Sequence, residues 1–362
     1  MKIARSGALV AIALAGALAL SSCAANETTP PLGSSASPLT GTLNGIGSSA
    51  QANAQTAWAA GFQTANSAVT VNYDSQGSGA GRKAFIAGSA DFAGSDAALS
   101  SDELAGKFVG CAADSKAIDL PIYISPIGVV YNVPGVTDLK LDAPTIAGIF
   151  KGTITKWDDP AIAAQNAGTT LPSATIVVVH RSDDSGTTEN FTDYLATVAP
   201  DAWGVPTSQT WPFKVGDAAK GNQGVVSAVT SAQNSIGYAD QSAAGSLSIA
   251  QLKVGGTYEA ITTEGAAAVV GASPLATGRP ANDLAITIDR KSAVAGGWPI
   301  ALVSYMIVCQ TYADAARATL VKAYATYVAS AEGQAAGAAQ AKSAPISSEL
   351  AAKVVASIAT IK

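Results

Sequence analysis

The chain has 362 residues, 48% of them hydrophobic and 13% charged, with a formal net charge of −5. That balance suits a folded chain with a large core, divided into two lobes, and excludes a disordered one. One histidine, His180, three cysteines and no long basic run exclude a histidine-rich metal centre and a nucleic-acid track.

At the start, Lys2 and Arg5 precede an apolar run over residues 8–20, followed by Leu20-Ser21-Ser22-Cys23. The run is too short to span a bilayer and has the form of an export signal. Its end resembles a lipobox, so residues 1–23 are predicted to be a lipoprotein signal peptide with Cys23 as the lipid anchor. An ordinary signal cut near Ala24 or Ala25 is the alternative. Residues 24–38 are rich in Ser, Thr, Ala and Pro without apolar periodicity, which predicts a flexible tether. The remaining cysteines, Cys111 and Cys309, in an exported domain favour a disulfide over two buried thiols, and a disulfide requires both positions in one lobe.

The folded part is predicted to begin near Leu39. A Gly/Ser turn at residues 45–49 precedes a helix running through Trp58 and Phe62. Residues 69–73 alternate as a strand, and a second turn, Gly77-Ser78-Gly79-Ala80-Gly81, precedes a helix over 82–87. Neither turn ends in the Lys-Ser/Thr of a P-loop, and no acidic residue stands where a dinucleotide fingerprint needs one. Asp91-Phe92-Ala93-Gly94-Ser95-Asp96 follows, then a helix start at Ser100-Ser101-Asp102-Glu103. The apolar segment 121–133, broken by Pro126 and Gly128, suits a strand that leaves one lobe and enters the other, and residues 142–171 read as helical pieces joined by a turn. Residues 220–225 form a loop and helix start, 236–239 a short strand, 300–309 an apolar strand, and 313–333 and 347–361 alanine-rich helices. Alternating helices and strands make the class α/β.

One run stands out, His180-Arg181-Ser182-Asp183-Asp184-Ser185-Gly186-Thr187, between a predicted strand over 175–179 and a helix over 189–199. Helix-start N–H groups lack partners within the helix, the positive end of the dipole faces outward, and Ser and Thr add hydroxyls. The run is therefore either a helix cap or an anion pocket.

The order and spacing of four motifs carry a resemblance. They are Gly152 to Asp159 (G-x-I-x-x-W-x-D), Arg181 to Thr187 (R-x-D-x-S-G-T), Lys220 to Gly224 and Ile236-Gly237-Tyr238. From Leu39 onward the chain resembles the substrate-binding protein of the bacterial high-affinity phosphate ABC transporter. The resemblance implies a two-lobed periplasmic-binding-protein fold with the ligand in the cleft between the lobes. Lobe 1 comprises 39–122 and 300–362, and lobe 2 comprises 123–299. It also implies phosphate-binding roles for Ser49, Ala50 (through its backbone), Ser78, Asp96, Arg181, Ser185, Gly186 and Thr187, with Asp183 supporting the arginine. Ser49-Ala50 stands where the family has Thr-Phe, and Gly79 where it often has a second serine. The expected partners are inorganic phosphate and the permease subunits of an importer, for a monomer held outside the cytoplasm by lipid on Cys23. Neither cofactor nor metal is expected.

The chemistry of the residues agrees with what the resemblance implies. Three Gly/Ser turns, each opening a helix, can converge N–H groups on one dehydrated anion, and Arg181 adds a two-pronged charged donor. From sequence alone Asp96 reads as a residue that caps or ends a turn. In the place the resemblance gives it, it would face the anion with a carboxylate, which favours a ligand carrying a proton, so phosphate over sulfate. Two other functions use the same residues: a secreted phosphatase or hydrolase with Ser185 as nucleophile and His180 as base, or a surface sensor or adhesin. No G-x-S-x-G elbow surrounds Ser185, which disfavours the enzyme.

Overall fold

A computed structural model describes residues 38–362; the expected signal with Cys23, and all but the last residue of the expected tether, lie outside them. The first part of the chain runs β1 (Gly41–Gly47), α1 (Ala52–Ala65), β2 (Val69–Asp74), α2 (Ser78–Ile86), β3 (Phe92–Ser95), α3 (Ser101–Ala105) and β4 (Ala117–Asn132). The middle part adds β5 (Lys140–Leu141), α4 (Ala143–Lys151), α5 (Pro160–Ala163), β6 (Val177–Arg181), α6 (Gly186–Val198), α7 (Pro200–Trp203), β7 (Asp217–Ala219), α8 (Gly221–Ser231) and β8 (Ser235–Asp240). After β9 (Ser248–Ile249), β10 (Gln251–Val254), β11 (Thr257–Glu259) and α9 (Thr263–Gly271) comes β12 (Ala301–Cys309), and α10 (Ala315–Ala329), α11 (Ala331–Ala341) and α12 (Ser348–Ala359) finish the chain.

The main sheet has the order β2-β1-β3-β12-β4-β8-β6-β7, with β9 beside β4; β11-β10-β5 form a second, small sheet. β4 joins the two ends of the main sheet. From Ala117 to Pro126 it pairs with β12, and from Ile127 to Asn132 with β8, antiparallel in both cases. Pro126 does not break this strand as expected. It sits where β4 changes partners, and a residue without an N–H is tolerated at such a place. β1, β2 and β3 are parallel to one another, as are β6, β7 and β8, so strand C-termini followed by helix starts occur on both sides of β4. β4 and β12 are buried almost throughout and read as continuous apolar runs, as expected of strands covered on both faces.

Several expected boundaries shift for local reasons. Gly45 and Gly47 belong to β1 rather than to a turn: a β-carbon on Gly47 would lie 1.9 Å from the Gly94 carbonyl oxygen of β3. α2 starts at Ser78 because Gly77, at φ +105°, supplies the turn a residue with a side chain would resist. Residues 142–171 hold only α4 and the short α5, with a loop around Trp157. The helix expected over 313–333 divides at Ser330, whose extended backbone and hydroxyl cap α11. The expected lobe limits fall inside β4 and just ahead of β12.

Cys111 and Cys309 form a disulfide across a sequence separation of 198 residues. Cys309 ends β12 opposite Ala117, the first residue of β4, so the bond ties the C-terminal strand to the chain just before β4. A loop of this length is predicted to contribute about 3–5 kcal/mol through the unfolded state. Reduction, or the double substitution Cys111→Ala and Cys309→Ala, is expected to lower the denaturant midpoint without altering ligand selectivity, because neither sulfur lies near the cleft residues described next.

Candidate functional site

Four helix starts meet beside the end of β3. Those of α1, α2 and α6 are the three expected at an anion site; the fourth is α8, expected as a helix start but not at the site, whose Gly221 adopts φ +70°. Ser49, just before α1, accepts hydrogen bonds from both Asn222 N–H (3.1 Å) and Asn222 Nδ2 (3.0 Å) at the start of α8. Ser78, the first residue of α2, accepts the backbone N–H of Asp96 at 3.1 Å. Gly186, the first residue of α6, packs so tightly that a β-carbon there would lie 2.8 Å from Asp96 Cβ and Ser78 Oγ and 2.9 Å from Ala97 N. Only glycine fits while these walls meet.

Arg181 is 2% exposed at the end of β6. Its Nε donates to Asp183 Oδ1 at 2.7 Å and its Nη2 to Asp183 Oδ2, a two-pronged pair, while Nη1 donates to Thr187 Oγ1 at 3.2 Å. Asp183 Oδ1 also accepts Gly221 N–H at 3.1 Å. Burial pushes the Asp183 carboxyl up, but the hydrogen bonds and charge of Arg181 and the Gly221 N–H outweigh it, and the group titrates below its ordinary value.

Asp96 is buried opposite this pair. Its Oδ1 accepts the hydroxyls of Ser48 and Ser304, each at 2.5 Å, and its Oδ2 accepts Thr187 Oγ1 at 3.1 Å. Burial raises its pKa above the ordinary value, against the lowering effects of Ser304, Ser48, the Arg181 charge and Thr187. The structure thus brings Ser49, Ser78, Asp96, Arg181, Gly186 and Thr187 together, with Asp183 behind the arginine as expected. Ser185 accepts the N–H of Thr188 at 3.1 Å, so it caps α6. Ala50 spends its N–H on Ser48 Oγ at 3.0 Å and supports Asp96's partner rather than pointing outward.

Sequence reasoning missed Ser48, Ser304, Asn190 and Asn222. Asn190 Nδ2 bonds the Asp96 carbonyl at 2.8 Å, and Asn222 links Ser49 to Thr187 while its Oδ1 accepts the Asp240 N–H at 2.9 Å. Asn222 lies in the recognised 220–224 motif and was a legible candidate. Ser304 sits in an apolar strand and carried no signal. The same regions touch again at the rim: Gly79 N–H donates to the Asp184 carbonyl at 3.0 Å, Lys83 pairs with Asp184 at 2.8 Å, and Arg82 Nη2 donates to Gln209 Oε1 at 2.7 Å. A cavity of about 880 Å³ borders Asp96 from another side, lined by Glu189, Asn190, Arg290 and Tyr305; Arg181 and Thr187 do not line it.

The hydrolase arrangement is not formed. His180 Nδ1 lies 2.9 Å from the Arg181 carbonyl oxygen and its ring stacks on Trp211, while Ser185 Oγ is occupied as a cap. What remains is a ring of hydroxyls, amides and one guanidinium, with the Asp96 carboxylate facing them and the Asp183 carboxylate held by the guanidinium.

A model described as a PBP superfamily domain matches residues 33–332. Phosphate-binding protein PstS 3 of Mycobacterium tuberculosis (strain ATCC 25618 / H37Rv) is 39% identical over 339 residues, covering 90% of each chain. The chain belongs to the phosphate-binding proteins of the PBP superfamily. A second relative in this family, phosphate-binding protein PstS 2 of the same strain, is 38% identical over 342 residues and 90% of each chain. Among solved structures, a high-affinity periplasmic phosphate-binding protein (PfluDING) bound with phosphate is 25% identical, with a TM-score of 0.71 over 87% of this chain and 93% of that one. The fold is therefore the two-lobed α/β fold of the family, which is one of binding components rather than catalysts.

Proposed function

We propose that this phosphate-binding protein captures inorganic phosphate outside the cytoplasm and delivers it to the permease of an ABC-type importer, without chemistry. The observation that carries the reading is Asp96, a buried acceptor facing the Arg181 and Thr187 donors. An anion placed there must both accept and donate, and a protonated tetrahedral oxyanion does. The names of the relatives and the phosphate-bound structure of PfluDING support it. In this reading Arg181, Thr187, the N–H groups of Gly186 and of the α6 start, Ser49 and Ser78 grip the oxyanion, Ser185 and Ala50 hold the local backbone, and Asp183 orients the arginine.

The sheet ends on either side of β4 are the two lobes, 39–122 with 300–362 and 123–299, and the rim contacts are those of a closed cleft. Among the described residues no helix is long and apolar enough to cross a membrane. Lipid on Cys23 would then hold a monomer at the outer face, a reading that rests on the lipobox alone. The usual ceiling per heavy atom puts a ligand of phosphate's size at about −7.5 kcal/mol, a low-micromolar dissociation constant, and a tighter one requires the buried, charge-assisted contacts of the site to exceed that ceiling. Calorimetry of phosphate and sulfate against the delipidated protein tests the assignment. Saturable phosphate binding with sulfate excluded is expected at neutral pH, and absence of phosphate binding would overturn it.

A further inference from the structure

Asp96 is the end of a directed chain of hydrogen bonds. Tyr324 in α10 donates its phenol proton to Gln55 Oε1 at 2.8 Å, and Gln55 Nε2 donates to Gln51 Oε1 at 2.9 Å. Gln51 Nε2 donates to Ser304 Oγ at 2.7 Å and to the Tyr305 carbonyl at 2.9 Å. Ser304 then donates to Asp96 Oδ1 at 2.5 Å. Tyr324, Gln55, Gln51 and Ser304 are each at most 1% exposed, so bulk water does not compete as a partner. Gly94 makes room for the chain, since a β-carbon there would fall 2.8 Å from Gln51 Oε1.

The polarity of this chain is fixed in its middle. The Tyr305 carbonyl can only accept, so Gln51 faces it and Ser304 with its amide nitrogen; the Gln51 oxygen then takes the Gln55 amide, and the Gln55 oxygen takes the Tyr324 hydroxyl. Because Gln51 donates to Ser304 Oγ, the serine's own proton points to Asp96. Ser48 works in the same sense, accepting Ala50 N–H and donating to the same Oδ1. Oδ1 is thereby filled with hydroxyl protons, leaving Oδ2 to face Thr187 and the cleft.

We propose that Gln51 and Ser304, backed by Gln55 and Tyr324, are positioning residues that set specificity by holding Asp96 ionised and able only to accept. The proposal rests on the reading of Asp96 as the group that meets the ligand. An oxyanion with no proton to offer then meets lone pairs on a buried oxygen and is rejected. Without the chain, burial favours the neutral acid, and a protonated Asp96 can donate to sulfate.

The other groups around Asp96 leave this direction intact. Arg181 on β6, paired with Asp183, opposes protonation; Asp240 on β8 favours it; Tyr73 on β2 and Tyr123 on β4 stay neutral through burial. Glu189 on α6 and Arg290 ahead of β12 border the adjoining cavity and carry opposite charges.

The test follows sulfate and phosphate affinity in the whole protein between about pH 5 and 8, with Asp96 carboxyl ionisation read by carbon NMR. In the parent protein sulfate binding should appear only as pH falls and Asp96 takes up a proton. Ser304→Ala and Gln51→Met should move both the carboxyl titration and the onset of sulfate binding to higher pH, raising sulfate affinity at mildly acid pH by about ten- to a hundredfold. Tyr324→Phe, which deletes one oxygen and leaves the core filled, should move them the same way by less. Coincident titrations in the parent, Ser304→Ala and Tyr324→Phe would overturn the proposal. Asp96→Asn separates the two layers: if it admits sulfate while the chain variants behave as the parent, the chain alone is wrong. If it too excludes sulfate, the selector reading falls and takes the chain with it.

Discussion

Asp96→Asn is expected to lower the preference for phosphate over sulfate by about 10²–10³-fold, chiefly by admitting sulfate. The asparagine keeps one oxygen for the hydroxyls of Ser48 and Ser304 and turns its amide nitrogen to the place where Oδ2 now accepts Thr187. A donor then replaces an acceptor, and a fully deprotonated oxyanion gains a hydrogen bond where it met repulsion. Phosphate loses one partner but retains Arg181 and the helix starts, so its own affinity should fall far less than the ratio. Paired titrations of both anions at neutral pH check this, and an unchanged ratio would show that selectivity lies elsewhere.

The second large effect is expected from Arg181→Met, which should weaken phosphate binding by about 10²–10³-fold. Truncating one member of a buried, hydrogen-bonded charge pair costs about 2–5 kcal/mol, much of it from the partner left behind. That partner is Asp183, which in the intact protein titrates below its ordinary value. A depressed carboxylate contributes stability that is present above the unfolded pKa, about 4, and lost as pH falls through the folded value. Without the guanidinium, burial would instead push Asp183 up. The stability deficit of Arg181→Met should therefore be largest near neutral pH, begin to shrink as pH falls through the raised Asp183 value of the variant, and go on shrinking until the depressed value of the parent is passed, as followed by denaturant unfolding. A deficit independent of pH would remove Asp183 from the account.

By its sequence the run from Arg181 to Thr187 is either a cap or an anion pocket; the structure forms the cap and gathers the other donors of the run at one place. Ser185 caps α6 with its oxygen, and the same turn puts Gly186 and Thr187 against Asp96. Local chemistry made this legible, because a strand ending in Arg-Ser-Asp-Asp-Ser-Gly-Thr leaves few other uses for its donors. The disulfide was legible from two cysteines in an exported chain. Pro126 misled, because proline argues against a central strand unless the strand changes partners there. Gly45 and Gly47 misled as well, since glycines in a strand signal close approach of a neighbouring backbone as readily as a turn.

The sequence by itself determined the α/β class, the helix starts that supply donors and the arginine with an acidic neighbour, while the aspartate that faces them was singled out only by the order of motifs that carries the family resemblance. Each depends on residues within a few positions of one another, or on a motif order spanning the chain. Only the tertiary structure decided what surrounds Asp96. Ser304, 208 residues away, reaches it from the apolar strand β12, and Gln51, just ahead of α1, and Tyr324 of α10 stand behind Ser304. No local pattern marks a serine in a buried strand as a hydrogen-bond donor to a distant carboxylate. Its role exists because β12 returns beside β3 and removes water, so that each buried polar group must find its partner within the fold.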